Sequence, residues 1–144
     1  MILRTLALAL ALASPGDTRA QTAPQQAPIA AVAAVGGGSW STGDADDIAQ
    51  VLSPAEVAIH LFGESHPAAG VRQARAALAE LLGRGGSARV VRVETLDGAP
   101  QHGFAELSWE VSAPGSPEGL RNVIFLGFIL EGDSWKIAEV HVFR

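Results

Sequence analysis

The chain of 144 residues has no cysteine and no tyrosine, a single methionine, and only 10 basic residues against 15 acidic ones. Without cysteine no disulfide can staple the fold, and no N-terminal thiol is present to carry a lipid. The acidic balance, with no cluster of Lys or Arg, argues against a nucleic-acid partner. No apolar run reaches the ~20 residues that cross a bilayer, so no membrane span is expected. The motifs that announce chemistry are missing as well. There is no HExxH, and a zinc site needs three or four converging ligands. There is no dinucleotide fingerprint and no nucleophile elbow. Gly63-Glu64-Ser65-His66 falls short of G-x-S-x-G because the fifth residue is Pro67. Gly36-Gly37-Gly38 follows no strand and precedes no Lys-Ser/Thr, so it reads as a flexible turn rather than a phosphate cradle. No metal and no cofactor is expected.

What is present begins with an export signal. Arg4 precedes a Leu/Ala run over 6–13, and small residues follow, with cleavage after Ala13 or Ala20. Residues 1–20 are therefore expected to be a signal peptide, and the product a soluble periplasmic or extracellular protein. Residues 21–28, rich in Pro and Gln, read as a flexible linker. The remaining 29–144 are enough for one modest core and one domain.

Within that domain, 29–35 suggests one or two helical turns ended by the three glycines. A second short helix, capped by Thr42 or Asp44, is expected to run to about Leu52, with Ile48, Val51 and Leu52 as its apolar stripe. A strand is expected at 57–62 and a loop at 63–69. The clearest helix spans 70–82. Val71, Ala74, Leu78, Leu81 and Leu82 form one side of it, and Arg72, Arg75 and Glu80 the other. Strands follow at 88–96, 104–111, 122–130 and 135–143. The order α-α-β-α-β-β-β-β predicts an α+β fold, with N-terminal helices packed on a curved, mainly antiparallel sheet.

The last two strands form the centre. Val123 to Leu130 is apolar without alternation, so both of its faces call for cover. Trp135 and Ile137 share one parity and Val140 and Val142 the other. That switch predicts a β-bulge near Ala138-Glu139 or burial on both sides. Whichever row of the 123–130 strand faces away from the helices is a large apolar strip. It is expected either to pair with a second copy of the chain, giving a homodimer, or to be covered by 29–35.

The helix VRQARAALAELL, the strand after it and the ending GDSWKIAEVHVFR resemble the nuclear transport factor two-like, cystatin-like cone superfamily. They are most like a family of small exported bacterial proteins of unknown function. The resemblance implies a sheet curled around a helix, with a pocket at the open end of the cone. Isomerase-like members use Tyr in the pocket, which this chain cannot supply. Dehydratase-like members use a His–Asp pair. The groups that could take that part are His60, His141, Glu106 and Glu139, with His66 and His102 in or after turns. His141 and Glu139, taken to lie beside Trp135 and Ile137, are the leading pair. A ligand pocket is expected at Trp109, Trp135 and His141.

Two readings follow. The first is an exported, non-enzymatic domain that binds a hydrophobic small ligand or a protein partner. The second is a lyase or isomerase of ketosteroid-isomerase-like type using a His/Glu pair in the cone. The lining of the cone separates them.

Overall fold

The computed structural model describes residues 23–98, 101–113 and 115–144. The expected signal peptide at 1–20, the first two linker residues, and turn residues 99–100 and 114 lie outside the described residues. Three helices, α1 (Ala23–Thr42), α2 (Ala45–Ala49) and α3 (Val71–Leu82), accompany six strands. These are β1 (Val57–Leu61), β2 (Glu64–Ala69), β3 (Ser87–Leu96), β4 (His102–Ala113), β5 (Ser116–Glu131) and β6 (Ser134–Phe143). They form one curved sheet in the order β2-β1-β6-β5-β4-β3. Every neighbouring pair is antiparallel except β1 with β6. The expected α+β class, with helices on one face of a mainly antiparallel sheet, holds.

The first departure is α1. It starts at Ala23, inside the segment read as a linker, and runs straight through Gly36-Gly37-Gly38. Glycine costs about 1 kcal/mol in a helix interior, but here close packing is the return. A Cβ on Gly36 would stand 2.9 Å from Leu126 Cδ1, and one on Gly37 would stand 3.4 Å from Leu107 Cδ2. The glycines let the helix backbone lie directly on the sheet. Ile29, Ala33 and Trp40 extend the same stripe and are fully buried.

The second departure is β2. The segment expected to be a loop is an edge strand, with His60 opposite Ser65 and Leu61 opposite Glu64. Phe62 and Gly63 form its two-residue turn, both at positive φ (49° and 95°), as the twist of a hairpin requires. Pro67 is tolerated because an edge strand has a side with no ladder partner. The element order is therefore α-α-β-β-α-β-β-β-β.

Asp44 caps α2, its Oδ1 accepting the backbone N–H of Asp46 at 2.9 Å and of Asp47 at 3.4 Å. The helix ends at Ala49 because the next residues turn toward β6. Ile137 N donates to Val51 O at 2.7 Å, and Ser53 N donates to Ile137 O at 2.8 Å. Helix α3 buries Ala74, Leu78, Leu81 and Leu82 as its pattern predicts.

The centre of the volume between helices and sheet is packed. Trp40 from α1 meets Trp109 from β4 edge to face, with ring centroids 6.3 Å apart. Both are fully buried, as are Ile48, Leu78, Leu107 and Leu126. Each such side chain contributes ~1.5–3 kcal/mol of burial free energy. Trp109 Nε1 donates to Gly85 O at 3.0 Å.

Candidate functional site

The bulge in β6 decides which side chains reach the other face of the sheet. Gly127 pairs with Glu139 and Phe128 with Ile137, so Ala138 is the extra residue. Its insertion switches the parity. Trp135, Ile137, Val140 and Val142 all face the helices and are buried. Glu139 and His141 are thereby turned to the helix-free face, opposite to Trp135 and Ile137, which corrects the shared face expected from a regular strand.

Register then aligns one row across all six strands on that face. It reads Ser65 (β2), His60 (β1), His141 (β6), Phe125 (β5), Glu106 (β4) and Arg92 (β3). His60 stacks on His141 with centroids 4.2 Å apart and planes 25° apart. Phe125 meets His141 edge-on at 5.9 Å and stacks on Phe104 at 5.2 Å. Arg92 lies over the Phe104 ring at 4.9 Å and reaches Glu106 Oε2 at 3.4 Å. His141 Nε2 contacts Glu139 Oε1, and Ser65 Oγ hydrogen-bonds His60 Nδ1 at 2.9 Å.

Gly127 supplies the room for Glu139. A Cβ there would stand 3.0 Å from Glu139 Cβ and 3.3 Å from its Oε2. The missing side chain leaves a shallow depression of about 350 Å³, lined by Leu96, Phe104, Phe125, Ile129, Ala138 and Glu139.

Of the residues expected to carry chemistry, His60, Glu139 and His141 come together. Glu106 lies in the same row but beyond Phe125, engaged by Arg92. Trp109 and Trp135, expected to line a ligand pocket with His141, are core residues at 0% and 4% exposure. His66 stands exposed on β2, and His102 opens β4. Ser65, Phe104, Phe125 and Arg92 had no signal in the linear sequence as members of this site. Only strand register brings them in.

The fold and this site define a small α+β domain with a filled helix side and an aromatic, His-bearing sheet face. No protein-family model matches the chain, and no curated protein matches it. Solved structures do. One is a DUF4783 family protein from Bacteroides ovatus, at TM-score 0.59 and 12% identity over 76% of this chain and 91% of that one. A second is an uncharacterized protein with a cystatin-like fold from Caulobacter vibrioides, at 0.63 and 16% over 81% and 87%. A third, from Streptomyces avermitilis, is provisionally a dehydratase from the NTF2-like family, at 0.63 and 13% over 83% and 95%. The chain thus has the nuclear transport factor two-like, cystatin-like cone fold, shared with bacterial proteins of unknown function. Among the described residues no helix is long and apolar enough to cross a membrane.

Proposed function

We propose that the protein is an exported, non-enzymatic binding domain whose working surface is the helix-free face of the sheet, and that a second copy of the chain occupies it. The observation that carries this is the patch of Phe104, Phe125, His141 and His60 standing on a face that no helix covers among the described residues. The helix side is filled at its centre by Trp40 and Trp109, and the cleft of about 320 Å³ between α3 and the β1–β2 turn carries Glu64, Glu80 and Arg84 in its lining, so binding of an apolar partner is assigned to the outside. The competing cover is accounted for elsewhere, since Ile29 and Ala33 of α1 are buried on the helix side. Leu96 and Phe143, 39% and 47% exposed, extend the apolar strip at either end. Six strands of 5 to 16 residues, averaging about ten and spaced about 4.8 Å apart, present roughly 900 Å². That is about what each partner contributes to a stable interface. Sedimentation at micromolar concentration tests the reading. A dimer that Phe125→Glu splits while leaving the circular dichroism unchanged supports it. A wild-type protein that stays monomeric overturns it. Export is tested separately by intact mass from the native host, where a species still beginning at Met1 would refute processing.

A lyase or isomerase is the second reading, favoured by the His141–Glu139 contact beside an open apolar depression. It requires a substrate held against the outside of the sheet. Turnover of a small hydroxylated or keto substrate that His141→Gln abolishes would establish it, and a dimer whose interface buries His141 would exclude it.

A further inference from the structure

We propose that His60, Glu139 and His141 bind one borderline divalent transition-metal cation, of the zinc class, on the helix-free face where β1 meets β6. Parallel pairing of β1 with β6 sets the two histidines directly opposite each other. The Ala138 bulge turns Glu139 to their side. One ligand atom from each of the three residues lies within 4.8 Å of the others. Ligand atoms of a tetrahedral zinc, with Zn–N of about 2.0 Å, sit about 3.3 Å apart. Coordination needs the in-plane lone pair of each ring aimed at the cation, so the two stacked rings, with planes 25° apart, must turn about χ2; the backbone need not move.

Two features set this apart from an ordinary surface salt bridge. A His–Glu pair needs one imidazole, and here a second is stacked on the first. Two imidazoles side by side with a carboxylate supply three donors, one more than a salt bridge uses. The second feature is the outer contact: Ser65 Oγ holds Nδ1 of His60 at 2.9 Å, as second-layer partners orient metal-bound imidazoles. Phe125 flanks His141 edge-on and keeps one side of the site apolar. Two nitrogens and one carboxylate oxygen select zinc-like cations over magnesium or calcium, which take oxygen donors. The side chains of His141 and Glu139 are 31% and 43% exposed in the single chain, so a fourth coordination position is open there to water or, in a dimer, to the second copy. All three ligands come from one chain, and the site does not depend on pairing of two copies.

Calorimetric titration of the full chain with zinc chloride is the test. One zinc per chain is expected, removed by EDTA and not replaced by magnesium. His60→Gln, Glu139→Gln and His141→Gln should each weaken binding by about tenfold or more, the scale on which even supporting contacts act. His66→Gln and His102→Gln should leave it unchanged. A measurement on the unaltered protein stands beside the variants. Zinc should shift the ring-nitrogen resonances of His60 and His141 and leave those of His66 and His102 in place. Absence of binding at about 100 µM zinc overturns the proposal. So does binding that survives in the folded His60→Gln/His141→Gln double variant.

Discussion

Three neighbouring glycines in one helix offer a controlled comparison. Gly36, Gly37 and Gly38 all lie in the interior of α1, so replacing any of them by Ala gains about 1 kcal/mol of helix propensity. What differs is where the new methyl goes. At Gly38 it meets nothing within 4 Å. Gly38→Ala should therefore stabilise by about 1 kcal/mol, raising Tm by about 4 °C in a domain of this size. At Gly37 the methyl makes ordinary contacts with Leu107 and Val90, at 3.4 and 3.7 Å, and Gly37→Ala should also stabilise. At Gly36 it stands 2.9 Å from a methyl of Leu126, itself fully buried. Overpacking of this kind costs ~1–3 kcal/mol, which offsets the propensity gain and leaves Gly36→Ala neutral to destabilising. Thermal unfolding followed by circular dichroism ranks the three. If Gly36→Ala stabilises as much as Gly38→Ala, α1 does not lie on the sheet through its glycines. If Gly38→Ala destabilises, the helix is not continuous there.

Trp135 is 4% exposed, and Trp135→Ala should cost ~3–5 kcal/mol in urea unfolding; a loss under about 1 kcal/mol would place it on the surface. Asp44→Ala removes the cap of α2 and should cost about 1 kcal/mol, whereas Asp44→Ser should recover most of it in the same unfolding measurement.

Elements whose local pattern agrees with their packing were legible. Helix α3 shows its buried stripe at helical spacing, and β4 alternates as a strand with one covered face. Helix α1 was legible only over 29–35 and not through the glycines, because glycine's local cost and its tertiary benefit have opposite signs, and only the first is visible in sequence. Strand β2 was hidden by a Phe-Gly turn and by Pro67, both of which read as loop until the strand is known to lie at an edge. The candidate site was legible by residue type only. His60, Glu139 and His141 could be named as chemistry-bearing residues. Their convergence depends on the parallel β1–β6 pairing, which joins segments far apart in the chain. The Ala138 bulge puts Glu139 and His141 outside the helix-covered volume rather than within it.

The bulge at Ala138 makes that placement testable by deletion. A strand alternates strictly, so removing one residue normally sends every later side chain to the wrong face. Removing Ala138 does the reverse. Trp135 and Ile137 then face the helices, Glu139 faces out, Val140 in, His141 out and Val142 in, all without a bulge. Glu139 still meets Gly127, and Ile137 still meets Phe128, as in the intact chain. Removing His141 also deletes one residue from the helix-free face, but it turns Val142 outward, Phe143 inward and breaks the register of β6 with β1. Both deletions shorten β6 equally, so chain length is controlled. Deletion of Ala138 should cost less than Trp135→Ala, that is under ~3 kcal/mol, and should keep the native tryptophan fluorescence. Deletion of His141 should cost clearly more, because it exposes Val142, 2% exposed in the intact fold, and draws in a half-exposed Phe143. If both deletions unfold the protein alike, Ala138 is needed for the curvature of the sheet itself, and its role is not confined to setting which side chains face which way.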